Sequence, residues 1–324
     1  MESRGLTLTL GPSDDRRRPL ALTPREDLLG FIGSYLGRAV LFLITGTSVL
    51  AVLLILLFVI LRSVPFLRDF GVGEFLTSRA WRPTADEPVF GALTLIVGSL
   101  YVSIAALLFA VPVGILAAVF LSDIVSWKIR NVAKPVVEIL AAIPSVAYGF
   151  FAVLVLAPWM QRRFGFSTGT NALNASVILA IMALPTIISV AEDAISALGR
   201  ELREASYSLG ATRLETMTKV VIPAAHSGII AAVVLGMMRA IGETMVVWMA
   251  SGNATQIPHP WWDLSQSIRT MTATIAGEMG EAPEGGAHRS ALFAVGVVLL
   301  LMTFVLNIVS EYFLSRAKKA AGKS

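Results

Sequence analysis

From Ala39 to Leu61 the chain runs through twenty-three consecutive residues without a charge. At about 1.5 Å per residue such a helix crosses a hydrocarbon core roughly 30 Å thick. Further apolar stretches cover about residues 93–121, 135–159, 174–198, 224–249 and 290–312. In lipid every backbone polar group must be satisfied within its own segment, so runs of this composition fold as helices. The expectation is an all-α polytopic membrane protein with six transmembrane helices. Composition agrees: of 324 residues 55% are hydrophobic and 15% charged, too few charges for a soluble surface of that size. The absence of cysteine rules out disulfides and Cys-ligated metals. The net charge of +4 is spread over several loops and forms no nucleic-acid patch.

Residues 1–27 are polar, include Arg16-Arg17-Arg18 and lack the apolar core of a secretory signal. The first 22 are expected to be poorly ordered. Thr23, Pro24 and Glu26 form a helix start, leading either into an interfacial helix up to Arg38 or into the first span directly. Residues 62–90 read as a polar loop holding Pro65, with Trp81 as an anchor at the headgroup level. In the second span Pro112 predicts a kink. Asp123 to Lys134 reads as a short basic loop, and 250–290 as a second long polar loop in which Leu264–Glu278 has the pattern of a half-inserted helix. With the N-terminus inside, 17 Lys and Arg fall in inside segments and 8 in outside loops. The positive-inside rule then places both termini in the cytoplasm.

Two places put polar chemistry at membrane depth. In the third span Pro144 and Gly149 are expected to interrupt the helix beside Ser145 and Tyr148. Irregular backbone at that depth must be buried in protein or line a cavity, and a simple structural kink is the competing reading. The fifth span carries Arg239 and Glu243, four apart and so expected on one helix face, with Thr244 beside them and Gly236 and Gly242 allowing close approach. Either they form a packing clamp, or the guanidinium fork meets a passing oxyanion while the carboxylate offsets its charge. A carboxylate can also accept a proton-bearing hydrogen bond from phosphate, but not from sulfate. His226, His259 and His288 show no metal-ligand spacing, and no catalytic residue is assigned.

Between the fourth and fifth spans lies a polar island, Arg203–Pro223, REASYSLGATRLETMTKVVIP. Gly210 is a left-handed stop, Thr212 with Glu215 is a capping box, and Pro223 is expected to end the second helix and begin the next membrane segment. Glu204-Ala205-Ser206, then Gly210, then Val220 to Pro223, resembles the E-A-A-x3-G-x9-I-x-L-P loop of ABC-importer permeases, with Ser206 in place of the third Ala. That resemblance implies a coupling helix that docks into a separate cytoplasmic ATPase, with Glu204, Ala205, Gly210 and Pro223 in the coupling role.

RAIGET (Arg239–Thr244), IPSVAYG (Ile143–Gly149) and MTATIAGEMGE (Met271–Glu281) further resemble the PstC-type permease of phosphate ABC importers, over about residues 70–315. The paired PstA-type permease has a similar RAIGE segment, so the choice between the two rests on MTATIAGEMGE. The resemblance implies the type I ABC-importer permease fold and a phosphate path along Arg239 and Glu243, to which Thr244, Ser145 and Tyr148 are joined as pathway residues. It implies a second permease chain (PstA-type), an ATPase dimer (PstB-type) and an extracytoplasmic phosphate-binding protein (PstS-type) as partners. No G-x-x-x-x-G-K-[ST] occurs, so no cofactor is expected on this chain, ATP and Mg belonging to the ATPase. The expected organisation is a tail and interfacial helix at 1–38, a first span at 39–61, an extracytoplasmic loop at 62–92, a permease core at 93–315 with the coupling loop at 199–223, and a tail at 316–324. The expected location is the bacterial inner membrane. Rival readings are a molybdate or sulfate permease, an intramembrane enzyme using Arg239, Glu243 and a His, and a membrane scaffold or phosphate sensor.

Overall fold

The computed structural model describes residues 24–320, with side chains for residues 36–312 and 315; Thr23, the expected helix cap, lies outside the described residues. Two packing units divide the chain, through Leu57 and from Phe58 on. In the first unit the described residues belong to α1 (Pro24–Phe70), one continuous helix rather than an interfacial helix followed by a span. Its apolar side chains from Leu36 to Leu57 are nearly all exposed, as a lipid-facing helix requires.

The second unit begins within the same helix, which runs through Pro65 to Phe70, so the expected polar loop starts later than its composition suggests. Gly71 then turns the chain into α2 (Val72–Thr77) and a two-residue hairpin, β1 (Trp81–Arg82) antiparallel to β2 (Val89–Phe90). These pieces close over an aromatic core: Phe66 meets Phe75 and Phe90 edge-on, and Trp81 meets Phe90. Trp81 is only 2% exposed, so it is a core residue and not a headgroup anchor. Its indole N–H explains the difference, since it finds a half-buried carboxylate, Glu278, at 3.0 Å.

Among the described residues five helices are long and apolar enough to cross a membrane, and a bent pair, taken as one span, makes a sixth. The first is the Leu36–Phe70 part of α1. Next come α3 (Leu93–Val119), continued by a π turn at Phe120–Ile124, and α4 (Trp127–Ala142), so the expected basic loop is largely helix. Pro112 lies within α3 without ending it. Between α4 and α5 (Ser145–Phe151) the chain bends by 88° at Ile143-Pro144, and a π turn then leads into α6 (Ala157–Phe164). Gly149 does not break the helix; a Cβ there would strike Met249.

The central helix is α7 (Ala172–Ser196), the most buried of the spans, packed between α3 and α10 (Ile222–Ile241). Ile187 at its middle is fully buried, and a Cβ on either Gly114 of α3 or Gly236 of α10 would come within 2.6 Å of it. Gly236 therefore serves helix packing rather than solute approach. Between α7 and α10 lie α8 (Glu201–Ser208), α9 (Arg213–Thr216) and a π turn at Met217–Val221. Pro223 does not stop this helix. The π turn shifts the bonding so that Ile222 N–H reaches Met217 O, and the missing N–H of Pro223 falls in the first turn of the next segment. A π turn likewise precedes Pro158. The chain ends with α11 (Met245–Ala250), α12 (Met271–Glu278) and α13 (Ala287–Ala320); of the expected half-inserted helix only α12 is helical.

Candidate translocation and coupling site

The Arg239–Glu243 spacing does not survive as one helix face. α10 ends at Ile241, the backbone leaves the helix over Gly242–Thr244, and α11 starts at Met245. Gly and two polar residues in succession supply little apolar surface to continue the helix and offer side chains that bond locally. Among the described residues no ion pair joins the two charges. The Arg239 guanidinium is exposed and donates to Ala141 O at 3.5 Å, in the last turn of α4. Tyr148, buried on α5, donates its hydroxyl to Leu140 O at 2.9 Å. Two carbonyls freed by the 88° bend are thus met by a cation from one broken helix and a hydroxyl from beyond the other break. Ser145 begins α5 at the same bend and is partly exposed.

Glu243 turns the other way. Its Oε1 accepts from Val246 N–H at 3.4 Å, and its carbonyl accepts from Thr272 Oγ1 at 2.9 Å. Together with Ser99, Ser103, Thr270 and Thr272 it lines a cavity of about 10 Å³, room for about one water. Thr244 bonds weakly, to Gly242 O at 3.5 Å.

Except at Pro223, the segment that resembles a coupling loop folds as its sequence predicts, with one addition. Gly210 has φ +83°, and Thr212 and Glu215 form the reciprocal capping box. Ser206, where the loop motif has Ala, is buried and its hydroxyl lies 2.9 Å from Thr216 Oγ1, tying α8 to α9. Glu204, Ala205, Gly210 and Pro223 are all exposed. Arg203 hangs the segment on the helical layer: it pairs with Asp123 at 2.6 Å and donates to the carbonyls of Gly199 and Ile195.

Two charge clusters were not singled out in the sequence. Glu192 of α7, 1% exposed, accepts from Arg130 and from Lys134 at 2.8 Å, while Lys134 also reaches Asp193 at 2.7 Å. The signal was present: Arg130 and Lys134 are four apart on α4, matched to adjacent acids at the end of α7. On the far side Glu278 collects Trp81, Arg269 at 2.7 Å and His288 at 2.8 Å. His288 is accordingly in the first turn of α13 and partnered, rather than loose in a loop.

Residues 110–319 match the family model described as the binding-protein-dependent transport system inner membrane component. The chain belongs to that family. Among its relatives, the "probable ABC transporter permease protein YqgH" of Bacillus subtilis is 41% identical over 76% of this chain and 78% of its own length. The "phosphate transport system permease protein PstC" of Mesorhizobium japonicum is 36% identical over 79% and 82%, and that of Haemophilus influenzae 32% over 83% and 89%. Solved structures share the fold. A bacterial alginate ABC transporter matches with TM-score 0.59 at 17% identity, covering 91% of this chain and 96% of that one. The inward-facing methionine transporter MetNI matches at 0.54 and 18%, covering 68% and 93%. The chain is therefore a multi-pass membrane permease with the type I ABC-importer architecture.

Proposed function

We propose that this permease imports inorganic phosphate, forming half of a path completed by a second, PstA-type permease. The observation that carries the reading is Arg239, a cation at the meeting point of two broken helices with no carboxylate partner among the described residues. Discontinuous helices near mid-membrane are a usual construction of a substrate site in a transporter, and here the cation meets the carbonyl end of one of them. A planar guanidinium suits two oxygens of a phosphate, and its last-turn carbonyl contact is weak enough to be exchanged for an anion. Relatives named for phosphate transport support the same substrate.

Glu243, Thr244, Ser145 and Tyr148 complete the proposed pathway. Glu243 is the feature that favours phosphate over molybdate or sulfate, since a carboxylate accepts a hydrogen bond only from an oxyanion that keeps a proton. Glu204, Ala205, Gly210 and Pro223 would present the coupling segment to a separate PstB-type ATPase dimer, which binds the ATP and Mg. A PstS-type phosphate-binding protein would deliver from outside, and both termini lie in the cytoplasm by the positive-inside count. Uptake of labelled phosphate by the reconstituted complex, with sulfate and molybdate as competitors, tests the reading. Phosphate uptake resisting an excess of either competitor is expected; equal competition by sulfate would overturn the substrate.

A further inference from the structure

Beside the coupling segment two hollows of opposite character share a wall. One, of about 460 Å³, is polar and lined by residues including Ser122, Arg130, Arg200 and Glu204. The other, of about 890 Å³, is a groove between the end of α3 with its π turn and the start of the α9–α10 helix, with Leu116, Phe120, Leu214 and Met217 in its walls. Asp123, Arg203, Tyr207 and Arg213 line both. Arg203 is taken by Asp123 and Arg130 by Glu192. Arg200 and Arg213 have no acidic partner among the described residues, and only Glu204 opposes them there, so the polar hollow keeps a net positive charge.

We infer that these hollows form one site for a single anionic phospholipid of the inner leaflet. Its phosphate sits between Arg200 and Arg213, with the Tyr207 hydroxyl as a further donor, and an acyl chain lies in the apolar groove. The pairing of the two hollows selects this occupant. A free oxyanion leaves the groove unfilled, an uncharged lipid leaves the arginines unpaired, and neither uses both halves. The inference rests on the cytoplasmic placement of the coupling segment proposed above. Bound there, the lipid braces α8 and α9 against α3, so that the charge of the membrane influences where the coupling segment stands.

The test is a melting-temperature titration of the full-length chain, with whatever partners it retains, in uncharged detergent. The probes are dioleoylphosphatidylglycerol, dioleoylphosphatidylcholine and inorganic phosphate. Phosphatidylglycerol should raise Tm by about 3 °C, and the other two should not. Arg200→Gln with Arg213→Gln should remove that rise. Ala117→Trp, which narrows the groove and leaves both arginines in place, should also reduce it, and decides the matter if the arginine pair lowers the unliganded Tm. Equal rises with phosphatidylcholine, a full rise with phosphate alone, a rise unchanged in both variants, or none at all because a partner chain covers the groove would each overturn the site. The titration measures no transport, so it stands or falls apart from phosphate uptake.

Discussion

Glu192 and Arg239 are both charges carried by spanning helices, yet they live differently. The Glu192 carboxylate is almost wholly buried and held by Arg130, Lys134 and Ser196. Arg239 is exposed, with one carbonyl contact at 3.5 Å, and Glu243, four residues away, faces another element altogether. A buried carboxylate saturated with partners is fixed, and removing one member strands the rest. A guanidinium with a single long contact has donors to spare for something that comes and goes. On the proposed function, the contrast separates charges that hold the helices from a charge left to meet a solute.

Glu192→Gln leaves two cations beside a neutral group and should cost about 3 kcal/mol, the low end for a broken buried pair because Arg130 and Lys134 keep about a third of their surface. Thermal unfolding in detergent reads this, and an unchanged Tm would erase the distinction. Arg203→Gln removes the Asp123 pair and the carbonyl contacts, and should cost about 2 kcal/mol while loosening proteolytic protection of residues 199–223. Gly210→Leu forces a side chain into a left-handed backbone at a cost of about 1–2 kcal/mol. It should uncouple solute-stimulated ATP hydrolysis from uptake while the chain still inserts; normal coupling would count against the segment's role. Ser206→Ala should be the mildest at about 1 kcal/mol, seen as faster amide exchange in α8 and α9 only.

Much of this was legible in the sequence because it depends on local rules. Span positions follow from the length of apolar runs, and the coupling segment from Gly210, Thr212 and Glu215, whose turn and cap geometry need only neighbouring residues. What was not legible depends on partners distant in the chain. Trp81 reads as an interfacial anchor until Glu278, 197 residues on, takes its N–H. Pro223 reads as a stop, but a π turn absorbs its missing donor. Helical periodicity puts Arg239 and Glu243 on one face, whereas the chain leaves the helix at Gly242 and the two side chains take different partners, Arg239 the distant Ala141 carbonyl and Glu243 the nearby Val246 N–H. Gly236 reads as room for a neighbouring helix or a solute, and the packed structure decides for the helix, with Ile187 filling the space.

The central claim is that Arg239 is positioned for a passing anion and not for Glu243. The direct measurement is phosphate uptake by the assembled complex carrying Arg239→Glu together with Glu243→Arg, beside Arg239→Lys and Glu243→Gln, with Tm and complex yield recorded for each. Because the two charges lie on opposite sides of a helix break, the exchange rebuilds no pair and moves the guanidinium away from Ala141 O. The account predicts near-normal Tm and assembly, uptake at background in the exchanged variant, and poor uptake in Arg239→Lys, since an ammonium lacks the planar fork. Glu243→Gln should bind phosphate but release it slowly. Near-normal uptake in the exchanged variant would contradict the account and make the two residues a packing clamp.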